Sequence, residues 1–268
     1  MKCSSYWLII ASFFTGSFQC FGLSGGPIAG VGCVFAQEAA KSSEPAPIAS
    51  AAGQDVDLPV KLKAWTEFPQ AKEGGVWLLP NGDLDSKNSP WSIAAKSYFE
   101  GHGKIDLADG VLTLGKGNPG SGLVANFEVP KINYEISFQA RRTQGSDFFC
   151  GLTFPFADQQ ATLILGGWGG STVGISNVNN FSAIENSTSR TVEFQQNRWY
   201  DVKLRVAENE IECFLDGKSL FWQETQEKRF TIWWEQKPMA PLGFASWQTT
   251  GQIRKVRLEK VEPKAFDD

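Results

Sequence analysis

The clearest pattern along the chain is an alternation of apolar and polar residues over 199–217. Apolar side chains recur at every second position on both sides of a polar break at 207–210. A period of two places successive side chains on opposite faces of a β-strand, so two strands are predicted, each with one face toward a core. Asp216-Gly217 predicts a tight turn, because Gly adopts the positive φ that such turns require. The next strand is expected at 220–222.

The alternation returns from position 131 onward. The apolar positions of this segment, expected on one face, are Ile132, Tyr134, Ile136, Phe138 and Ala140. Two further segments, 148–154 and 161–165, are apolar at nearly every position. Continuous apolar runs of this length are typical of central strands covered on both faces.

Shorter apolar segments separated by turn residues complete the pattern. They predict strands at 111–114, 123–127, 173–175, 191–194, 230–234, 242–247 and 256–261. No segment shows a long period of 3.6, so helix is limited to a turn or two, near 91–96. Many short strands at regular spacing predict an all-β, antiparallel two-sheet jelly-roll sandwich.

The N-terminus has the features of an export signal. Lys2 is followed by an apolar run at 6–14, and Val34 and Ala36 form the small-x-small pattern that precedes cleavage. The run is shorter than the ~20 apolar residues of a membrane span. A lipid anchor at Cys33 is the alternative. We expect a secreted or periplasmic protein without a membrane span once the signal is removed.

The mature chain divides into three parts by composition. Residues 37–57 are rich in Ala, Ser and Pro and predict a flexible linker. One β-sandwich domain is expected at 58–262, followed by a tail at 263–268. Lys2 is the one charged residue of 1–36, so removing that segment changes the formal net charge from -4 to -5. Without a basic run, no nucleic-acid partner is expected.

Two cysteines, Cys150 and Cys213, remain in the mature chain. In an exported protein they could form a disulfide. The alternative is that both are free, because each lies within an apolar strand pattern and buried cysteine behaves as a small hydrophobe.

The hexamer GGWGGS at 166–171 is the most unusual local motif. Four glycines flank Trp168, so the backbone can turn sharply and leave the indole open to stack on a sugar ring. The alternative is that Trp168 fills a gap in the core. Trp247 and Gln248 place an indole beside an amide, a combination that suits the apolar face and the hydroxyls of a sugar.

Two carboxylates are candidates for catalysis. Glycoside hydrolysis uses a pair of carboxyl groups ~5–10 Å apart. Asp147 precedes the strand predicted at 148–154, and Glu185 lies beside Asn186 in a polar loop after the hexamer. Each carboxylate has a simpler explanation, since Asp147 can end a turn and Glu185 can be solvated.

Metal and cofactor chemistry has little support in the sequence. His102 is the single histidine, which excludes a zinc site built from several histidines. Asp106 and Asp109 could bind calcium, but Asp109-Gly110 is more simply a hairpin turn. No cofactor is expected, and calcium stays possible.

Residues 104–261 resemble a known family. The matching passages are ADGVLTLGKGNP, NYEISFQARR, DFFCGLTFP, GGWGGSTVG, SAIENSTSR, RWYDVKLRV and PLGFASWQTT. They are similar to the 3-keto-disaccharide hydrolase domain, found in exported sandwiches of the concanavalin A-like lectin/glucanase type that are abundant in planctomycete bacteria. The resemblance implies a carbohydrate-active sandwich, and hydrolysis only through the family's name.

Two functions follow as expectations. In the first, the protein hydrolyses a glycosidic bond of a 3-keto-disaccharide or related glycan, with Asp147 and Glu185 as carboxylates and Trp168, Asn186, Trp247 and Gln248 in contact with the sugar. In the second, the same surface binds an extracellular glycan without turnover, as laminin-G-like modules do.

Overall fold

The computed structural model describes residues 63–79, 84 and 89–262. Helix in this part is limited to three short 3-10 segments, Trp65–Glu67, Ser97–Phe99 and Trp234–Met239. The strands are β1 (Lys63–Ala64), β2 (Val76–Trp77), β3 (Trp91–Ile93), β4 (Ile105–Ala108), β5 (Val111–Leu114), β6 (Gly120–Ala125), β7 (Phe127–Glu128), β8 (Tyr134–Gln144), β9 (Cys150–Phe156), β10 (Gln159–Gly167), β11 (Thr172–Ser176), β12 (Arg190–Thr191), β13 (Tyr200–Val206), β14 (Glu210–Leu215), β15 (Lys218–Glu224), β16 (Gly243–Trp247) and β17 (Thr250–Lys260).

These strands form two antiparallel sheets. The seven-stranded sheet has the order β12-β11-β10-β9-β16-β6-β3, and the eight-stranded sheet has the order β15-β14-β13-β8-β17-β5-β4. The segment before β3 adds two small pieces: β2 pairs with β17, and β1 pairs with β7 in parallel. The predicted all-β, two-sheet antiparallel sandwich is therefore confirmed.

The main core lies between the two sheets. Alternate side chains of each strand point inward, so Phe138 of β8 meets Phe244 of β16 with ring centroids 5.4 Å apart. Leu152 and Leu163, from the adjacent strands β9 and β10, are fully buried in the same core. Burial of this apolar area, at ~25 cal/mol per Å², is the main source of stability.

The hairpin predicted over 199–217 is confirmed. Val206 pairs with Ile211, and Val202 pairs with Leu215. Asp216 and Gly217 have φ values of 50° and 76° and form the turn into β15. The pattern succeeds here because the period and the turn residues are both local signals.

Four local predictions are wrong. The strand expected at 191–194 is limited to the two-residue β12, Arg190–Thr191. The segment 230–234 is not a strand: Phe230 makes one isolated bridge, and a 3-10 helix begins at Trp234. The turn of helix expected at 91–96 is instead strand β3, followed by the 3-10 segment Ser97–Phe99. Ile132, assigned to the core face, precedes β8 and is 36% exposed.

A second, smaller core covers the outer face of the seven-stranded sheet. Its buried members are Ala94, Phe99, Met239 and Ala245. Phe99 and Met239 come from the two 3-10 segments Ser97–Phe99 and Trp234–Met239, which pack against each other and on β6. Both faces of this sheet are thus covered, and the cover ends where the candidate site begins.

The predictions for the two ends of the chain are not tested by the structure. The signal at 1–36, the linker at 37–57 and the tail at 263–268 lie outside the described residues, so export stays a prediction. Within the described ranges, no helix has the length and apolar character to cross a bilayer. Cys150 and Cys213 are both free and buried, and burial raises the pKa of both thiols, to about 12 for Cys213.

We expect Trp91→Phe to destabilise the fold by about 2 to 3 kcal/mol, through loss of a buried hydrogen bond and creation of a cavity. Trp91 is 1% exposed, and its indole N–H donates to the carbonyl of Leu78 at 2.7 Å. The control is Trp222→Phe, because Trp222 is 63% exposed, and it should change stability by less than about 0.5 kcal/mol. Urea denaturation measures both; equal losses would contradict the assignment of Trp91 to the core.

Candidate functional site

A cleft of about 280 Å³ opens on the outer face of the seven-stranded sheet. Its floor consists of Phe148, Ile164 and Trp247, and two further indoles, Trp168 and Trp233, line it. The polar side chains that line it are Asp147, Ser176, Glu235 and Gln236. Aromatic surfaces with a few polar groups are typical of small-ligand sites.

The period of two explains two of the three floor residues. Ile164 of β10 and Trp247 at the end of β16 occupy outward positions, because alternate residues of the same strands lie in the main core. Phe148 precedes β9, and the alternation is broken there: Phe149 and Cys150 both lie in the main core, whereas Phe148 packs against the smaller outer core. The rings of Phe148 and Trp247 are nearly parallel, at 25°, with centroids 6.1 Å apart.

The glycine-rich hexamer forms the connection between β10 and β11. Gly166, Trp168, Gly169 and Gly170 all have positive φ, between 48° and 104°. Glycine tolerates this left-handed backbone best, which explains the composition of the motif. The Trp168 indole is 42% exposed and lines the cleft. The structure therefore supports the open indole and not the filled core gap.

Asp147 is the carboxylate at the floor of the cleft. The N–H of Phe148 donates to its Oδ1 at 2.7 Å, and its own N–H donates to Oγ1 of Thr249 at 2.9 Å. Burial raises the pKa of Asp147; the Phe148 N–H, the charge of Arg142 and the Trp168 N–H lower it by less. The net effect is a pKa above the ordinary range, because desolvation disfavours the charged form.

Arg142 supports both the turn and the carboxylate. It is 9% exposed and donates to the carbonyl of Gly170 at 3.1 Å and to that of Phe194 at 2.9 Å. Its positive charge lies close enough to Asp147 to lower the pKa of that carboxyl. One buried cation thus ties the turn that carries Trp168 to the charge of the site.

The segment that covers the sheet also supplies polar atoms to the cleft. Oε2 of Glu235 and Oε1 of Gln236 are buried without a hydrogen-bond partner among the described residues. Gln236 is only 4% exposed. Buried polar atoms in native proteins are nearly always paired, so these oxygens are acceptors available to a ligand. Trp233 is oriented by a hydrogen bond from its indole N–H to Oγ of Ser176 at 2.8 Å.

The structure brings together three of the six predicted site residues. Asp147, Trp168 and Trp247 all line the cleft. Gln248 is exposed beside Trp247 but does not line it.

Glu185 and Asn186 lie in the loop after β11 and do not line the cleft. Glu185 is exposed, and hydrogen bonds from the hydroxyl and then the N–H of Ser182 lower its pKa. The amide of Asn186 donates to the carbonyl of Ile175 at 2.7 Å and accepts from the N–H of Thr188 at 2.9 Å. Its polar atoms are engaged in holding the loop.

Sequence analysis missed Trp233, Glu235 and Gln236. Trp233 lies within the segment 230–234 that the pattern predicts as a strand, and Glu235 and Gln236 follow it directly. The available signal was Pro238, which removes a backbone donor and argues against a continuing central strand.

Asp109 and Asp106, the two candidate calcium ligands, have structural roles. Asp109 and Gly110 have φ values of 51° and 72° and form the turn of the β4–β5 hairpin. Asp106 forms an ion pair with Lys104 at 4.0 Å. Over the described ranges, no cluster of three or more His, Cys, Asp or Glu side chains is arranged to hold a metal ion.

Comparison with known proteins identifies one family. The family model of the 3-keto-alpha-glucoside-1,2-lyase-like domain matches residues 61–259, which confirms the resemblance to the 3-keto-disaccharide hydrolase domain. A search of the curated proteins finds no match.

Solved structures that match are distant. The carbohydrate binding module CBM66 from Bacillus subtilis is 12% identical, with 64% of this chain and 96% of that chain covered and a TM-score of 0.42. The carbohydrate recognition domain of Emp46p is 15% identical, with 69% and 94% covered and a TM-score of 0.46. Domain 4 of the arabinanase AbnA from Geobacillus stearothermophilus is 15% identical, with 65% and 84% covered and a TM-score of 0.43. Such distant likenesses give no basis for transferring a ligand.

The pKa values of the two predicted carboxylates should be shifted in opposite directions. We expect the pKa of Asp147 to lie above the ordinary value of about 3.9 and that of Glu185 to lie below about 4.3, because one is desolvated and the other is hydrogen-bonded in solvent. Carboxyl ¹³C chemical shifts, followed against pH and assigned with Asp147→Asn and Glu185→Gln, measure both. An ordinary pKa at Asp147 would contradict the burial of its carboxylate.

Proposed function

The chain belongs to the 3-keto-alpha-glucoside-1,2-lyase-like domain family, and on this premise we propose that its cleft cleaves the glycosidic bond of a 3-keto-glucoside, with Asp147 as the general base. The family match supports a carbohydrate-active sandwich. The observation that carries the proposal is the position of Asp147, a carboxylate of raised pKa on the aromatic floor of a cleft.

The chemistry of a 3-keto sugar suits a single base. The ketone at C3 acidifies the hydrogen at C2, and a base that removes this proton leaves its electron pair on an enolate. The pair then forms a C1=C2 double bond and expels the oxygen at C1, which takes up a proton. The products are an unsaturated keto sugar and an alcohol, which is a 1,2-elimination. Addition of water across the double bond makes the net reaction a hydrolysis.

The groups needed for this sequence are present in the cleft. Asp147 is the proposed base, and its raised pKa makes the ionised form a stronger base than an ordinary carboxylate. Glu235 is the second carboxyl group that lines the cleft, and its buried Oε2 can accept a hydrogen bond from a sugar hydroxyl. The leaving oxygen can take up the proton that Asp147 removes from C2. Oε1 of Gln236 is positioned to accept a hydrogen bond from a sugar hydroxyl.

The three indoles provide the binding surface. Trp168, Trp233 and Trp247 line the cleft, and the first two are 42% and 40% exposed. Indole faces stack on the apolar face of a pyranose at small entropic cost, because Trp has only two rotatable side-chain bonds. A sugar held between these surfaces would lie next to Asp147.

Glycan binding without turnover is the second candidate. The observation that favours it is that Glu185, the predicted partner of Asp147, is exposed and does not line the cleft. Direct hydrolysis of an ordinary glycoside needs two carboxyl groups flanking the bond. If Asp147 and Glu235, the two carboxyl groups that line the cleft, do not flank the glycosidic bond, the indoles would bind a sugar and release it unchanged.

We expect Asp147→Asn to lower kcat by about 10²- to 10⁴-fold, the usual contribution of a general base, with little change in sugar affinity. The control is Glu185→Gln, which should leave kcat within about twofold because its side chain lies outside the cleft. Product release from a methyl 3-keto-α-glucoside, followed by NMR, measures turnover, and calorimetry measures binding. Full activity of Asp147→Asn would overturn the role of Asp147.

Elimination and direct hydrolysis are separated by isotopic labelling. Deuterium at C2 should slow the reaction if proton removal limits the rate, and unreacted substrate should exchange C2 deuterium with solvent if removal is reversible. Cleavage with neither effect, and with no unsaturated keto sugar detected by NMR during the reaction, indicates direct hydrolysis. Saturable binding with no product at all assigns the chain to the binding class.

The pH dependence of kcat/KM should show the titration of Asp147. A base acts in its ionised form, so activity falls as the pH drops through the pKa of Asp147. Because burial raises that pKa, the acidic limb should lie above the value of about 3.9 expected for an exposed aspartate. A limb at or below that value would exclude Asp147 as the titrating base.

A further inference from the structure

Four aromatic side chains form a continuous row that begins at the cleft and leads out of it. The row is Phe148, Trp247, Tyr98 and Trp234. Trp247 and Tyr98 are nearly parallel, at 28°, with ring centroids 5.9 Å apart. Tyr98 and Trp234 meet edge to face, at 80°, with centroids 4.7 Å apart. Phe148 and Trp247 belong to the floor of the cleft, whereas Tyr98 and Trp234 lie beyond its lining.

Trp234 is unusually exposed for a residue in such a row. Its side chain is 55% exposed, and its described ring contact is with Tyr98. Large apolar side chains are normally buried, so a row of them that reaches solvent is typical of an interaction site. Tyr98 itself is half-buried.

Tyr98 and Trp234, the outer half of the row, belong to segments that are anchored in the smaller core. Trp234 begins the 3-10 helix that ends at Met239, and Met239 is fully buried against Phe99 in the smaller core. Tyr98 lies beside Phe99 in the segment Ser97–Phe99, which packs against that helix. The exposed ring of Trp234 and the half-buried ring of Tyr98 are therefore both attached to anchored backbone, which lowers the entropy lost when a ligand binds.

From these contacts we infer that Tyr98 and Trp234 form a second sugar subsite, which takes the ring joined to the reacting sugar. The inference rests on the proposed function, because the first ring is placed by the cleft and by Asp147. The pair would make the protein bind a two-ring glycoside in preference to a one-ring glycoside of the same keto sugar. The neighbouring ring of a disaccharide, which is the leaving unit, stacks on Trp234 while the keto sugar lies over Phe148 and Trp247.

Trp222 provides a matched comparison for Trp234. It is also exposed, at 63%, but it lies on β15, the edge strand of the eight-stranded sheet. It does not line the cleft. Exposure is therefore similar in the two residues, and continuity with the cleft is the property that differs.

The test compares ligands with one ring and with two. Calorimetry on the full chain would measure the affinity for methyl 3-keto-α-glucoside and for a 3-keto-α-disaccharide in wild type, Trp234→Ala, Trp234→Phe and Trp222→Ala. Wild type should bind the disaccharide more tightly. We expect Trp234→Ala to weaken disaccharide binding about tenfold and the one-ring glycoside by less than about twofold, with partial recovery in Trp234→Phe. Trp222→Ala should change neither affinity.

Product formation, measured on the same samples, separates the two proposals. Turnover by wild type with equal affinities of Trp234→Ala and wild type for the disaccharide removes the subsite and leaves the proposed function intact. A selective loss of disaccharide affinity without turnover keeps the subsite and removes the lyase chemistry. Loss of affinity for both ligands in Trp234→Ala, or no binding by wild type, overturns the subsite.

Discussion

The seven-stranded sheet has to be covered on both faces, and the site depends on how this is done. β9 is buried along its whole length, so neither of its faces tolerates water. The inner face packs on the eight-stranded sheet. The outer face is covered by the 3-10 segments Ser97–Phe99 and Trp234–Met239 and, at β11, by the loop that carries Ala183 and Thr188. Where the cover by the 3-10 segments ends, Phe148 before β9 and Trp247 at the end of β16 are only half-buried, and the cleft lies there.

The same constraint determines which residues carry chemistry. Phe148 and Phe149 are neighbours in the chain, yet one forms the floor of the cleft and the other belongs to the main core. Asp147 comes directly before them, at the point where β9 has not yet begun. Its carboxylate is therefore partly desolvated by the sheet, but it still lines the cleft, where a ligand can contact it. Its raised pKa follows from that intermediate position.

The sequence predicted those features that depend on local signals. The hairpin of β13 and β14 has both a period of two and an Asp-Gly turn, and the hexamer around Trp168 has glycines where the backbone needs positive φ. Trp233, Glu235 and Gln236 could not be placed in this way. Their segment has apolar residues at strand-like positions, but its location depends on Met239 packing on the outer face of the sheet, where a Cβ on Gly122 would overlap the Met239 sulfur. Such contacts join residues distant in the chain and leave no periodic trace.

The unpaired oxygens of Glu235 and Gln236 have a consequence for discrimination among ligands. An acceptor that is buried without a partner carries an energetic penalty in the empty protein, and a ligand with a correctly placed hydroxyl removes that penalty. An analogue with hydrogen in place of that hydroxyl fills the same volume and leaves the penalty in force. A deoxy compound leaves these buried acceptors unsatisfied, whereas a changed substituent on the side that faces the indoles does not. The cleft would therefore discriminate more strongly against deoxy compounds than against such a substituent.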